Sequence, residues 1–313
     1  MRPDPALRHF AGSAATLAYF DWPGEPGAPT ALLVHATGFH ARVWDRVVHS
    51  LPSDWRVLAP EVRGHGRSSK DGPFELWTDY GDDLVEFVDE VALAGAIGVG
   101  HSMGGTLLCQ VAAARPSAFS RLVLVDPGVN APEYYAADRF PDLKGPEEHP
   151  AARRRADWPD WQNLHGRLKD RLPFSLWEPK VLEDYCRHGL LPKASGGGYT
   201  LACPTLVEAA IYFHSWRTSV LDSLHRIGAP TVILRARREK LEPLGQISYL
   251  TSPAWEELAA QFPQAEDVYL PEYTHFLPMQ DPALVARYIL RSFEASGGGG
   301  SGPFEVSKNG PIQ

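Results

Sequence analysis

Short apolar runs recur along the chain, separated by stretches whose apolar residues fall at helical spacing. The runs are Thr30–Val34, Arg56–Ala59, Ala96–Gly100, Arg121–Val125 and Thr231–Arg235. Consecutive apolar positions over so few residues suit strands buried on both faces of a parallel sheet. Between them, the stretch Asp79–Leu93 sets Leu84, Phe87, Val88 and Val91 at helical spacing, and Met103–Ala114 reads as a small-residue helix stopped by Pro116. Strand and helix in alternation predict an α/β fold with a doubly wound, mostly parallel sheet. The alternation breaks after Pro127-Gly128, and residues 129–227 read as an inserted helical cap. Helices are expected there over 161–172, 181–190 and 207–223, with a flexible turn at Ser195–Gly198. Beyond it come strand Val232–Arg235, helix Ala254–Phe262, strand Asp267–Leu270 and a last helix Pro282–Ala295. The core is thus expected from 1–128 and 228–295. Residues 296–302 read SGGGGSG, a flexible linker, and Pro303–Gln313 have no core-forming pattern, so 296–313 is set aside as a linker-like tail or a tethered peptide.

Composition narrows the function classes. With 313 residues and 44% hydrophobic content, the chain can bury a substantial core. Lys plus Arg number 30 against 38 Asp plus Glu, a formal charge of −8, so a nucleic-acid backbone is repelled on average and no nucleic-acid partner is expected. No apolar run approaches the ~20 residues of a membrane span. The first ten residues carry Arg2, Asp4 and Arg8 with Pro3 and Pro5 and lack the apolar stretch of a signal peptide, so a cytoplasmic location is expected. Cys109, Cys186 and Cys203 form neither a disulfide framework nor a CxxC pair. The chain holds 9 Trp and 11 Tyr. Many fall in the insertion, where Trp158, Trp161, Trp177, Tyr212 and Trp216 are candidate walls of an aromatic substrate pocket or anchors of cap to core.

Gly100-His101-Ser102-Met103-Gly104 matches GxSxG, a weak signal alone but one that here follows a predicted strand and opens a predicted helix. That setting lifts a serine hydroxyl into a cleft, and the glycines let strand and helix approach without a Cβ clash. A serine hydroxyl needs a base within hydrogen-bond reach and a third group to orient that base. His275 is the candidate base, the one histidine near the C-terminal end of the last predicted strand.

The elbow, His35-Ala-Thr-Gly-Phe39, the turn Arg63-Gly-His-Gly-Arg-Ser68 and the late His275 together resemble the α/β-hydrolase superfamily, over residues from about 12 to 295. The resemblance implies an α/β-hydrolase fold and, as oxyanion donors, the backbone N–H groups of Thr37 and Met103. Gly38 stands beside Thr37 as a substitute donor or substrate contact, and Ala36 stands where the family commonly has glycine. Two residues occupy positions where the family places its acid: Asp126, ending a strand before Pro127-Gly128, and Glu239, flanked by Arg237, Arg238 and Lys240. Asp126 is favoured, since a buried acid stabilises an imidazolium better than one competing with three cations. The expected activity is two-step hydrolysis of a carboxylic ester or lactone of a medium-sized apolar or aromatic compound, with no metal or organic cofactor. Carbon–carbon bond hydrolysis, perhydrolysis on the same triad, or a slowly turning-over ligand receptor are the alternatives. Oligomeric state is not legible.

Overall fold

The computed structural model describes residues 2–238 and 250–291, so Glu239 and the segment 296–313 lie outside the described residues. The apolar runs form strands β3 (Thr30–Val34), β4 (Arg56–Pro60), β5 (Ala96–His101), β6 (Phe119–Val125), β10 (Thr231–Ala236) and β11 (Ala265–Leu270). Ahead of them lie β1 (Ala6–Ala11) and β2 (Thr16–Trp22), and the eight form one sheet in the order β1-β2-β4-β3-β5-β6-β10-β11. Pairing is antiparallel from β1 through β2 to β4 and parallel beyond. Strand β1 is almost wholly exposed and carries Arg8 and His9, which suits an edge that must not pair with another chain.

Side chains alternate across the sheet. Leu33, Val99, Val123 and Val232 face one layer, containing α1 (Asp45–His49) and α10 (Pro282–Leu290), through Val47, Val48, Val285 and Ile289. Leu32, Leu58, Leu122 and Ile233 face the other, containing α2 (Trp77–Glu90) and α3 (Met103–Ala114), through Leu84, Phe87, Leu107 and Val111. The chain is therefore an α/β hydrolase fold with helices on both faces of a mostly parallel sheet.

Between β6 and β10 the chain leaves the sheet. This stretch holds α4 (Pro132–Tyr135), β7 (Asp157–Trp158), α5 (Trp161–Leu168), α6 (Pro179–His188), β8 (Leu190–Pro192), β9 (Tyr199–Leu201), α7 (Thr205–Phe213) and α8 (Leu221–Leu224). It is not all helical: β7, β9 and β8 form a 3-stranded antiparallel sheet. Gly196, Gly197 and Gly198 take positive φ in the turn that joins β8 to β9. The single helix expected over 207–223 is two, because after Phe213 the backbone turns at Ser215–Arg217 and Thr218 Oγ1 then accepts the Trp77 N–H at 3.0 Å. The helix expected at 254–262 is only a turn at Leu258–Gln261, since the Trp255 N–H goes to Val129 O at 2.9 Å and the Ala254 N–H to Ser252 Oγ at 3.1 Å. The short α9 (Leu277–Gln280) precedes α10.

The glycines around the β5–α3 turn set how closely the layers approach. A Cβ at Gly100 would lie 2.5 Å from Gly104 O, and one at Gly104 would fall on the Val34 carbonyl oxygen. These are backbone atoms of the core and cannot swing aside. Gly104→Ala is therefore expected to lower unfolding free energy by about 3 kcal/mol or more, at the upper end of overpacking changes. At Gly166 in α5 a Cβ meets nothing within 4 Å, so Gly166→Ala should raise stability by about 0.5–1 kcal/mol. Urea titration of both variants beside the parent protein checks the pair.

Candidate active site

Ser102 connects β5 to α3 with φ 53° and ψ −119°, a backbone region that non-glycine residues seldom adopt. The turn is held from three sides. The Ser102 N–H donates to Val125 O at 3.1 Å, and Ser102 O accepts from the N–H of Gly105 and of Gly128, both at 2.9 Å. The hydroxyl thus projects beyond the C-terminal ends of the parallel strands, where open α/β sheets bind ligands.

His275 follows β11 and reaches the same place. Its Nε2 lies 3.0 Å from Ser102 Oγ, and its Nδ1 lies 2.6 Å from Asp126 Oδ2. With the proton on Nδ1, the ring donates to Asp126 and accepts from the serine, so both nitrogens are matched. The loop is fixed by its neighbours: Thr274 donates its N–H and its hydroxyl to Gln280 Oε1 at 2.8 and 2.7 Å, and His275 O accepts from His101 Nε2 at 2.8 Å. Asp126 is wholly buried at the end of β6, itself at φ 44°. Its Oδ1 accepts from the Ala236 N–H at 2.8 Å and from Ser252 Oγ at 2.6 Å, so three donors fix the carboxylate plane. Of the two candidate acids it is Asp126 that meets His275, while Glu239 lies outside the described residues. Ser252 was not singled out from sequence, and Thr251-Ser-Pro253 carries no pattern that marks it.

The loop after β3 lies against the same turn. Thr37 Oγ1 donates to Met103 Sδ at 3.3 Å, which ties the two candidate oxyanion donors together through their side chains. Among the described residues, neither the Thr37 nor the Met103 N–H has an acceptor. Met103 opens a helix of 12 residues with no side-chain cap and no acid in its first turn, so the positive end of the helix dipole faces the serine unopposed. The Gly38 N–H is already engaged, donating to His65 Nε2 at 2.9 Å, which separates Gly38 from Thr37 as a donor.

The alpha/beta hydrolase family matches residues 31–288. The chain belongs to that family. Lipase LipV of Mycobacterium tuberculosis is 26% identical over 273 residues, covering 85% of this chain and 94% of the lipase. A pimeloyl-[acyl-carrier protein] methyl ester esterase of Pectobacterium atrosepticum is 30% identical over 129 residues, covering 41% of this chain and 48% of the esterase. Among solved structures, an E-2-(acetamidomethylene)succinate hydrolase superposes with TM-score 0.71 at 20% identity, covering 91% of this chain and 97% of that one, a likeness of fold.

In this hydrolase the candidate aromatic residues are engaged in packing. Trp177 is stacked on Phe39 with centroids 5.8 Å apart and lies 5.3 Å from the Phe276 ring, beside His275. Trp158 donates its Nε1–H to Arg155 O at 3.1 Å, and the Arg155 guanidinium lies 4.2 Å above its ring. Arg187 covers Trp161 at 4.6 Å, and Arg217 lies 5.7 Å from the Trp216 ring. Tyr212 directs its hydroxyl to Thr37 O at 3.4 Å. Gly38 lines a cavity of about 10 Å³, room for about one water, with Phe39, His40, Arg154, Tyr185 and Glu208. Among the described residues, Asp45, Asp184 and His188 bring potential metal ligands within 4.8 Å of one another. Arg42 lies 2.7 Å from the first carboxylate and Arg46 2.7 Å from the second, so the group is an ion-pair network joining α1 to α6.

Seven histidines here are harder to protonate folded than unfolded. Burial pushes His35 down to about 4 and His188 to about 3, and holds His40, His65 and His101 well below the ordinary value, with His149 at about 4 and His214 also lowered. The unfolded chain therefore binds more protons below about pH 6.5, and stability is lost as pH falls from there toward 4. For His35 alone the loss by pH 4 is about 3 kcal/mol. The buried carboxylates Asp45, Glu61, Asp83 and Glu208 are raised and oppose this, though each is met by an arginine. Urea midpoints at pH 7.5 and pH 5 should differ, the acid value being lower, with net proton uptake on unfolding.

Proposed function

We propose that this protein is a serine hydrolase of carboxylic esters, acting through an acyl-enzyme on Ser102. The observation that carries the reading is the hydrogen-bonded chain from Ser102 Oγ through His275 to Asp126, with spans of 3.0 and 2.6 Å. Ser102 Oγ adds to the ester carbonyl carbon while its proton passes to His275 Nε2. Asp126 holds the ring in the accepting tautomer and stabilises the imidazolium that forms. The N–H groups of Thr37 and Met103 receive the negative charge that develops on the carbonyl oxygen. Collapse of the adduct expels the alcohol, which leaves with the proton from His275. Water then adds to the acyl group, giving its proton to His275, and the acid departs as Ser102 regains its hydrogen.

The names of the relatives, a lipase and a methyl ester esterase, support an ester over other acyl compounds. The aromatic group Phe39, Trp177 and Phe276 beside His275 favours a medium-sized apolar or aromatic ester, or a lactone of similar size. The inserted segment acts as a cap over this site. Its Tyr185 accepts from His40 at 3.0 Å through the backbone oxygen, and its Glu178 N–H donates to Met279 O at 2.9 Å, contacts that seat it on the loops around the serine.

The test is hydrolysis of a series of p-nitrophenyl esters and aryl lactones. Ser102→Ala and His275→Ala should abolish turnover, and Asp126→Asn should lower kcat on the order of 10⁴-fold, as in other triads, without change of fold. Glu239→Gln is expected to change kcat little. Equal turnover in the parent and in Ser102→Ala would overturn the assignment.

A further inference from the structure

The peptide unit that joins Thr37 to Gly38 is gripped at both ends. Its carbonyl oxygen accepts from the Tyr212 hydroxyl at 3.4 Å, and its N–H donates to His65 Nε2 at 2.9 Å. The two grips come from different parts of the chain: His65 from the turn after β4, Tyr212 from α7 in the inserted segment. Gly38 sits at φ +78°, and glycine accepts either sign of φ, so this peptide would otherwise be free to turn over. A third side chain bears on the same spot. Glu208, one helical turn before Tyr212 and on the same face of α7, places Oε1 2.7 Å from where a Cβ at Gly38 would be.

Each grip is itself held. The His65 Nδ1–H donates to Arg63 O at 3.1 Å, which leaves Nε2 to accept from Gly38, and burial favours the neutral ring that this arrangement needs. Arg154 Nη1 donates to both Glu208 oxygens, at 2.7 and 2.5 Å, and its Nη2 to the Tyr185 hydroxyl at 3.3 Å. Burying an ion pair gives little net stability over an apolar pair of the same shape. The placement of this one against a bare glycine backbone is therefore better explained by what it does to the loop than by what it adds to the core.

We propose that Tyr212 and His65 are positioning residues that hold the Thr37–Gly38 peptide in one of its two orientations, with Glu208 filling the space into which Gly38 would swing. The Thr37 N–H lies on the preceding peptide, which shares the Thr37 Cα with this one, so the residue that presents the donor is held in place jointly by the core and by the inserted segment. This rests on the reading of Thr37 as an oxyanion donor. A substrate that displaces α7 would loosen the donor, so the site is fully formed only with the segment seated.

Tyr212→Phe removes one oxygen atom and retains the ring that stacks on His149 at 5.6 Å. With p-nitrophenyl butyrate as the ester, kcat should fall about 10-fold with KM within twofold, less than the ~10²–10³ for deleting an oxyanion donor itself. His65→Leu should behave likewise, and His65→Gln, which returns an acceptor near the Nε2 position, should recover most of the loss. Independently of any ester, amide hydrogen exchange over residues 36–40 should quicken at least tenfold in Tyr212→Phe while the rest of the chain is unchanged. Exchange in that segment within twofold of the parent overturns the proposal, as does unchanged kcat beside a loosened segment, or a rise in KM alone, which would make Tyr212 a substrate contact. If the parent hydrolyses no ester, the ester reading fails and the exchange result alone decides the clamp.

Discussion

Ser102 can meet His275 only because its backbone is held at φ 53°, a conformation that for a residue with a side chain costs about 1–3 kcal/mol and persists only where its surroundings overdetermine it. The surroundings here do so. Gly100 and Gly104 let β5 and α3 close to a separation that no Cβ would permit, and the Ser102 N–H and carbonyl are bonded to β6 and to the residues that follow it. Asp126, which ends β6, is strained in the same sense at φ 44°. The two strained residues are adjacent because β5 and β6 pair in parallel, with His101 opposite Val125. The sheet thus places a serine hydroxyl and a carboxylate side by side, and the loop after β11 lays the His275 imidazole between them.

The inserted segment is joined to the core by apolar packing on both faces, through Trp177, Val181 and Leu182 on one and Val207, Ile211 and Val220 on the other, and by a set of polar contacts. Arg46 pairs with Asp184, Arg67 donates to His188 O at 3.2 Å, and His40 donates to Tyr185 O. Such contacts are directional, so they fix the orientation of the segment more than they add to stability. A further contact, from the Tyr212 hydroxyl to Thr37 O at 3.4 Å, ties the same segment to the loop that carries Thr37 and Gly38.

Much of this was legible in the sequence where local pattern and global fold agree. The buried strands from Thr30–Val34 to Thr231–Ala236 announce themselves as apolar runs, and helix Met103–Ala114 begins and ends where its glycines and Pro116 place it. The edge strand Ala6–Ala11 did not, because it is exposed and has no apolar alternation to detect. The acid stood open between Asp126 and Glu239, since the choice depends on which carboxylate a strand end turns toward the imidazole, a tertiary fact. Ser252 was invisible for the same reason, as was the commitment of the Gly38 N–H to His65. In the insertion, tryptophans rich enough to suggest a pocket are engaged with arginines and, at Trp177, with Phe39, and composition cannot tell a lining ring from a packed one.

The proposed function requires the Ser102 hydroxyl to be activated by His275 while the other serines are not. The most direct measurement is mass-spectrometric localisation of a fluorophosphonate adduct after brief treatment of the intact protein. A single modified peptide is expected, carrying the adduct on Ser102, with labelling abolished in His275→Ala. Labelling of another residue, or labelling of Ser102 at the same rate when His275 is gone, would contradict it.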